Sequence, residues 1–133
     1  VLPLAGLHLL LAEDNELNSE IATALLEEQG ASITAVENGR LALEAIQNAA
    51  PRTYDAILMD VMMPEMNGLE ATRCIRAFEG KGPGKGTPII AMTANVFADD
   101  VKACLDAGMN SHVGKPLDMK VLIGEILKYT NAR

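Results

Sequence analysis

Positively charged residues are scarce in this sequence. Lys and Arg number 11 against 18 Asp and Glu, which gives a formal net charge of −7 and a pI of about 4.7. A surface that neutralises the phosphates of a nucleic acid duplex needs the opposite balance of charge. The composition therefore argues against nucleic acid as a direct partner.

Cysteines and long apolar runs are scarce as well. The two cysteines, Cys74 and Cys104, are too few for a disulfide scaffold and lack metal-ligand spacing, so we predict reduced, buried thiols in a cytoplasmic protein. The apolar residues 1–12 stop at Glu13, short of the roughly 18 that a membrane span needs, and no basic segment precedes them. We therefore expect no targeting signal and no direct membrane contact. Because the chain begins at Val1 rather than at Met, we expect it to be a piece of a longer protein.

The sequence does contain a regular alternation of apolar runs and helical periodicity. Its 133 residues suit one domain, and 49% apolar residues suffice for one core. Five short runs have the pattern of strands, and several are apolar at consecutive positions, which is typical of parallel strands covered on both faces. These runs are residues 7–12, 32–36, 56–59, 89–92 and 111–113.

Helical spacing fills the intervals between the predicted strands. Leu17, Ile21 and Leu25 fall at i, i+4 and i+8, and this stretch ends at Gly30, which suits the position after a helix C-cap. A doubly wound α/β sheet is the predicted fold, because right-handed crossovers between parallel strands place helices on both faces. Four further helices are predicted. The second helix follows Asn38-Gly39, and the third covers about residues 69–78. The fourth contains Phe97, Val101 and Leu105 and ends at Gly108, and the fifth begins at the N-cap candidate Asp118.

Polar side chains follow four of the predicted strands. Glu13 and Asp14 come after the first strand, Asp60 after the third, Thr93 after the fourth and Lys115 after the fifth. Ligands of open α/β sheets bind outside the carboxyl ends of the strands, so we expect these side chains to share one crevice. Each residue alone is typical of a turn or a solvated surface, whereas the combination favours a functional site.

The chemistry of this set indicates a metal and a phosphoryl group. Carboxylates held close together repel one another unless a cation intervenes, and oxygen ligands without His or Cys favour Mg²⁺. A carboxylate beside Mg²⁺ that faces a Lys and a Thr has the groups that aspartyl phosphorylation requires. These arguments leave open whether Asp14 or Asp60 is the nucleophile.

The motifs around these residues resemble those of a known family. LLLAEDNELN (residues 9–18), MDVMMPEMNGL (59–69), IAMTAN (90–95) and GKPL (114–117) are similar, in order and spacing, to the receiver domain of two-component response regulators. The resemblance covers about residues 7–129 of a single domain, residues 1–133. It implies a flavodoxin-like α/β fold, with a five-stranded parallel sheet in the order 2-1-3-4-5, helices 1 and 5 on one face and helices 2, 3 and 4 on the other.

The resemblance also implies a phosphoacceptor and a set of metal ligands. Asp60 would be the phosphoacceptor and would also bind Mg²⁺, for which Mn²⁺ could substitute. Asp14 would bind the metal directly, Glu13 would bind it mainly through water, and the backbone carbonyl of Met62 would complete the protein ligands.

Further roles follow from the same resemblance. Thr93 would bond one phosphoryl oxygen and shift on phosphorylation, while Lys115 would pair with another and precede a cis peptide bond to Pro116. The aromatic position that turns inward when the Thr moves is usually Tyr or Phe in the family, and here it is His112. Whether His112 acts as a switch or is an ordinary strand histidine stays open. The side chains of Met62 and Asn95 are expected at the mouth of the site, where they would tune the lifetime of the acyl phosphate.

Two details indicate the type of receiver. EDNELN, NGLEATRCIR and MTAN are more similar to receivers fused to hybrid sensor histidine kinases than to those of DNA-binding regulators. This implies a phosphorelay domain that takes a phosphoryl group from the phospho-histidine of a histidine kinase and passes it to a histidine phosphotransfer domain. The isolated domain would catalyse its own phosphorylation and dephosphorylation, and the alternative is a stand-alone single-domain regulator. The expected docking residues are Asn18, Ala22, Pro116 and Leu117.

Three other interpretations fit less well. A haloacid-dehalogenase-type phosphatase needs a second acid two residues after the first, where this chain has Met62. Residues 84–87 (GKGT) lie in the predicted surface loop 79–87, lack the full phosphate-binding motif and precede a strand rather than a helix. A binding-only pseudo-receiver would be expected to have lost an acid, the Thr or the Lys, and all of these are present.

Overall fold

The computed structural model of the protein describes residues 2–94 and 97–131, and Asn95, predicted at the mouth of the site, lies outside them. Strands and helices alternate along the described residues, and none of these helices is long and apolar enough to cross a membrane. The strands are β1 (His8–Ala12), β2 (Ser32–Val36), β3 (Ala56–Asp60), β4 (Ile89–Thr93) and β5 (Ser111–Gly114). The helices are α1 (Glu16–Glu28), α2 (Gly39–Asn48), α3 (Gly68–Glu79), α4 (Ala98–Ala107) and α5 (Met119–Asn131).

The five strands form one parallel sheet in the order β2-β1-β3-β4-β5, which confirms the predicted topology. The predicted strands are all present, with small differences at their ends. β3 includes Asp60 and β4 includes Thr93, so these two side chains lie on the last residues of their strands rather than just after them. Both residues are paired with a residue of the neighbouring strand, and both are buried.

Helices cover both faces of the sheet, as the resemblance implies. Every residue of β3 and β4 is buried, which explains why their sequences are apolar without alternation. One side of the core contains residues of α1 and α5, and the other contains residues of α2, α3 and α4. The buried helix residues include Ala22, Leu26, Leu122 and Ile126 on the first side and Ala42, Ala71, Ile75 and Cys104 on the second.

Local signals fix several helix ends. The side chain of Asn15 accepts a hydrogen bond from the N–H of Asn18 at 2.9 Å and so caps α1. Gly30 follows the C-cap of α1 with φ of +101°, and a Cβ there would lie 2.9 Å from the backbone of Ala5, so both conformation and space require glycine. Asp118 accepts a hydrogen bond from the N–H of Lys120 at 2.9 Å, which confirms it as the cap of α5.

The apolar stripe that predicts α1 is not the face that α1 buries. Leu17 and Ile21 are 64% and 51% exposed, whereas Ala22 and Leu26 are buried against the sheet. Two sets of apolar residues spaced by four lie on neighbouring faces of this helix, so the period identifies the helix without identifying its buried side. The larger residues of the first set therefore form an apolar strip on the surface.

A buried arginine connects the amino-terminal end of the sheet to α3. Arg76 is 4% exposed, and its guanidinium donates to the carbonyl oxygens of Gly108 and Thr87 at 2.9 and 2.8 Å. It also donates to Asn110 Oδ1 at 2.9 Å and to Glu79 Oε1 at 3.0 Å. Burial lowers the pKa of Arg76, and the negative charge of Glu79 acts in the opposite direction. The network joins the end of α3 to the segments that lead into β4 and β5.

The loop at residues 79–87 is only partly the surface loop that its composition predicts. Its middle is largely exposed, but Thr87 is 5% exposed and its hydroxyl donates to Glu79 Oε2 at 2.6 Å. The N–H of Gly84 donates to the carbonyl of Gly108 at 3.0 Å, and Asn110 Nδ2 donates to the carbonyl of Gly84 at 2.9 Å. Polar contacts rather than apolar packing hold this loop, so hydropathy gives no indication of them.

Replacing Arg76 by Met is expected to lower the free energy of unfolding by about 3 kcal/mol, because buried acceptors and Glu79 lose a charged donor. Urea denaturation of the domain measures this change. Arg73→Met is the matched control, since Arg73 is exposed on the same helix and its loss should cost about 0.5 kcal/mol or less. Equal and small effects of the two substitutions would contradict a structural role for Arg76.

The two thiols are expected to react at different rates. Neither is in a disulfide, and the predicted burial is confirmed for Cys104, which is 2% exposed, but not for Cys74, which is only half-buried. Burial raises the pKa of the Cys104 thiol, and the negative charge of Asp100 raises it further, so less of the reactive thiolate is present. Iodoacetamide at pH 8 should therefore alkylate Cys74 at least about tenfold faster, as measured by peptide mapping. In urea the difference should vanish, and faster alkylation of native Cys104 would refute the burial argument.

Candidate functional site

The carboxyl ends of β1, β3, β4 and β5 meet at one edge of the sheet, and the strand register places the predicted residues there. Asp60 is paired with Met92, which precedes Thr93, and Thr93 is paired with Gly114, which precedes Lys115. The N–H of Lys115 donates to the carbonyl of Thr93 at 2.8 Å. The parallel register therefore brings residues more than fifty positions apart into one crevice.

Three carboxylates come together in this crevice, as the sequence predicts. Glu13, Asp14 and Asp60 each offer an oxygen, and these oxygens lie within 4.8 Å of one another. Glu13 and Asp60 are each 5% exposed, whereas Asp14 is on the solvent side. Glu13 Oε2 accepts a hydrogen bond from the N–H of Asn15 at 3.2 Å, so the residue that caps α1 also orients this carboxylate.

The ammonium group of Lys115 lies between two of these acids. Its Nζ is 2.9 Å from Asp60 Oδ2 and 3.0 Å from Glu13 Oε1. Burial alone lowers the pKa of Lys115, but the hydrogen bonds and charges of Asp60 and Glu13 outweigh burial and raise the pKa above its ordinary value. Lys115 therefore stays protonated at neutral pH. The sequence placed Lys115 in the crevice but gave no indication of its contact with Glu13.

The donor set fits a hard divalent cation. Three carboxylates and one ammonium leave an excess of negative charge in a partly buried space, and such repulsion is relieved by a bound cation. All the clustered ligand atoms are oxygens, which suits Mg²⁺, and the exposure of Asp14 leaves one side open for the waters that Mg²⁺ retains. The residues present therefore fit a magnesium ion.

Both oxygens of the Asp60 carboxylate have a donor. Oδ2 faces Lys115, and Oδ1 accepts a hydrogen bond from the backbone N–H of Met62 at 3.3 Å. The Met62 side chain is 76% exposed. The carbonyl of Met62 as a metal ligand stays a prediction.

Gly68 at the start of α3 packs directly on the backbone of Asp60. A Cβ on Gly68 would collide with the carbonyl oxygen of Asp60 and would lie 3.0 Å from the Cα of Val61. The N–H of Gly68 donates to the carbonyl of Val61 at 2.9 Å. The loop after β3 thus returns across the end of its own strand. The sequence analysis did not identify Gly68 as a residue of the site.

The residues with predicted switching roles lie on β4 and β5. Thr93 is 7% exposed at the end of β4, and His112 is half-buried on β5, paired with Ala91. The Lys115–Pro116 peptide bond is cis, as the resemblance implies. The movement of Thr93 and the rotation of His112 stay predictions.

A groove of about 560 Å³ adjoins the acidic cluster. Glu13 and Lys115 form its inner end, next to the predicted acceptor. Ala22 is 4% exposed and forms part of the floor, while Ile21, which sequence reasoning did not assign to docking, is 51% exposed. The predicted docking residues all line this groove: Asn18, Ala22, Pro116 and Leu117.

The curated relatives of this chain include histidine kinases. Probable histidine kinase 1 of Oryza sativa subsp. indica is 41% identical over 84% of this chain, and the sensor protein GacS of Pseudomonas syringae pv. syringae is 39% identical over 91%. The chain spans 14% and 13% of these two proteins. The similarity therefore concerns one segment of each relative.

Solved structures of receiver domains superpose on nearly the whole chain. The receiver domain of sensor histidine kinase PA1611 from Pseudomonas aeruginosa PAO1, with a magnesium ion coordinated in its active site cleft, is 38% identical, with a TM-score of 0.82 over 96% of this chain and 99% of that one. The receiver domain of Saccharomyces cerevisiae Ssk1, crystallised with the histidine phosphotransfer protein Ypd1, is 26% identical, with a TM-score of 0.83 over 94% and 89%. Residues 9–127 match the family model for the response regulator receiver domain, and the chain belongs to that family.

Proposed function

We propose that this receiver domain accepts a phosphoryl group from a phosphorylated histidine onto Asp60 and relays it to a histidine phosphotransfer protein. The observation that carries the proposal is the position of the Asp60 carboxylate. It is 5% exposed, lies within the three-carboxylate cluster, and has Lys115 on one oxygen and the Met62 N–H on the other. Asp14 is exposed at the rim of the cluster, so Asp60 is the better placed nucleophile of the two.

The transfer exchanges one phosphorus bond for another. A carboxylate oxygen of Asp60 attacks the phosphorus of the phosphohistidine, the P–O bond forms as the P–N bond breaks, and the imidazole nitrogen keeps the electron pair and takes up a proton. Lys115 pairs with one phosphoryl oxygen, and the hydroxyl of Thr93 donates to another. These two donors stabilise the negative charge that spreads over the phosphoryl oxygens in the transition state.

Mg²⁺ is the proposed cofactor, held by Asp14, Asp60 and the carbonyl of Met62, with Mn²⁺ as a substitute. Bound there, the cation supplies positive charge to the phosphoryl oxygens. Glu13 contacts the metal mainly through water in this proposal. Its carboxylate already accepts hydrogen bonds from Lys115 and from the N–H of Asn15, which supports an indirect role.

The groove beside the site is the proposed docking surface for the histidine-bearing helix of a partner. Its lining combines the apolar surface of α1 with Pro116 and Leu117, and Lys115 lies at its inner end. An amphipathic helix that buries its apolar face in such a groove brings a phosphohistidine to the acceptor. Ile21 is the exposed apolar side chain that such a helix would cover.

The parent protein is proposed to be a hybrid histidine kinase of the cytoplasm, with or without a membrane anchor. The histidine kinases among its relatives support this. Neither nucleic acid nor a membrane is a proposed contact of the domain, whose net charge is −7. The alternative is a stand-alone response regulator that signals by phosphorylation-dependent protein binding, and the flanking sequence of the gene distinguishes the two.

Asp60→Asn is expected to abolish phosphorylation, because the amide is not a nucleophile for phosphorus. Intact-mass spectrometry after incubation with Mg²⁺ and acetyl phosphate should show one added phosphoryl group on the wild type and none on the variant. EDTA should prevent the gain in the wild type. Asp99→Asn is the control, since Asp99 is an exposed acid on α4 and should leave the gain intact. An equal gain in the Asp60→Asn variant would exclude Asp60 as the acceptor.

Ile21→Glu is expected to slow phosphotransfer from phosphorylated Ypd1, used as a surrogate donor, by about tenfold, or about 1.4 kcal/mol, because a charge then lies in the apolar groove. The rate with acetyl phosphate, which needs no docking surface, should not change. Leu105→Glu provides the matched control, because Leu105 is an apolar residue of α4 that is 44% exposed and does not line the groove. If both variants transfer at the wild-type rate, docking on this part of α1 is wrong.

A further inference from the structure

A second cleft lies at the other end of the sheet. Its volume is about 790 Å³, within the range of small-molecule sites. Tyr54, Pro88 and Asn110, which lie just before β3, β4 and β5, are among its lining residues. It is therefore at the amino-terminal edge of the sheet, opposite the acidic cluster, and the phosphotransfer chemistry does not use it.

Aromatic side chains are concentrated in this cleft. The chain has two Tyr, two Phe and no Trp, and three of these four aromatic residues line the cleft: Tyr54, Phe78 and Tyr129. Phe78 is 53% exposed, which leaves much of its ring in contact with solvent. The ring of Tyr54 packs against the ring of His8 with a centroid distance of 4.8 Å, and this contact restricts the orientation of the Tyr54 ring. Flat apolar surface is thus available to a planar ligand.

The charge of the cleft is opposite to that of the chain. Arg52, Lys81 and Lys85 are exposed residues of its lining, in a protein whose net charge is −7. Of the described residues that line the cleft, only Glu79 is acidic, and its carboxylate is already bonded to Arg76 and Thr87. Among the described residues of its lining, the cleft therefore carries more positive than negative charge.

The wall that carries two of these cations is ordered by backbone contacts. The N–H of Lys81 donates to the carbonyl of Arg76 at 3.0 Å, and the N–H of Lys85 donates to the carbonyl of Gly82 at 3.0 Å. Gly84 is bonded on both its N–H and its carbonyl, to Gly108 and Asn110. The loop is thus largely preformed, which reduces the entropic cost of ordering it when a ligand binds.

We propose that this cleft binds a nucleoside phosphate. The base would lie against the aromatic side chains, and the phosphate would pair with the cations of the rim, so that stacking and charge act on the two ends of one ligand. The site is not a phosphate-binding loop of the strand-to-helix type, because residues 84–87 precede β4. The phosphate would instead pair with side-chain cations at the rim of the cleft, which are Arg52, Lys81 and Lys85.

Titration of the full chain with mant-ADP, followed by fluorescence anisotropy, tests the proposal. EDTA is present throughout, so that the acidic cluster has no divalent cation with which to hold a phosphate. Saturable binding is expected, and mant-adenosine, which lacks the phosphates, should bind at least about tenfold more weakly. Added NaCl should weaken the binding of mant-ADP, because the paired charges lie at an exposed rim.

The double substitution Lys81→Glu and Lys85→Glu should weaken mant-ADP binding by about tenfold or more. Phe78→Ser, which removes an exposed ring, should weaken mant-ADP and mant-adenosine alike. Lys102→Glu provides the control for charge, since Lys102 is exposed on α4 outside the cleft and should change the affinity by about twofold at most. Thermal unfolding followed by circular dichroism verifies that each variant is folded.

Three results would overturn the proposal. One is the absence of saturation with mant-ADP up to roughly 1 mM. Another is binding that the double substitution weakens no more than Lys102→Glu does. The third is a change of mant-ADP affinity in Asp60→Asn, in either direction, because such a change would place the nucleotide at the acidic cluster, where Asp60 faces Lys115, instead of in the cleft.

Discussion

The Nζ of Lys115 lies 2.9 Å from Asp60 and 3.0 Å from Glu13, so one positive charge joins the ends of β1, β3 and β5. Without it, two carboxylates that are each 5% exposed would repel each other with little solvent between them. The hydrogen bond from the N–H of Lys115 to Thr93 adds the end of β4 to the same centre. The proposed metal site, the orientation of the proposed acceptor and the wall of the proposed docking groove at Pro116 all depend on this placement.

Much of the fold and of the site could be predicted because both follow from periodic or positional signals. Consecutive apolar residues in β3 and β4 reflect burial on both faces, and the carboxyl ends of such strands indicate where polar residues meet. Spacing alone did not distinguish Asp14 from Asp60, and the family resemblance supplied that choice. The structure adds a physical basis for it, since Asp60 is buried between donors whereas Asp14 is exposed.

The features that could not be predicted depend on contacts without a periodic signal. Leu17 and Ile21 are larger than Ala22, yet α1 buries Ala22 and Leu26 against the sheet. The Arg76 network links residues up to thirty-four positions apart through polar atoms, so neither hydropathy nor helical spacing indicates it. The cleft beyond it likewise depends on loops whose shape comes from these contacts. The carboxyl end of the sheet carries the acidic cluster and the amino end carries the basic cleft. Only the acidic cluster could be predicted from the sequence.

The contact between Gly68 and the backbone of Asp60 affects how mutational surveys of this domain should be interpreted. No side chain fits at position 68 without displacing the end of β3, because the carbonyl oxygen of Asp60 occupies the space. A survey that scores only loss of signalling would group Gly68 with the proposed acceptor, although glycine contributes no reactive atom. Intolerance to substitution next to a proposed acceptor carboxylate can thus reflect a shortage of space as readily as a role in catalysis.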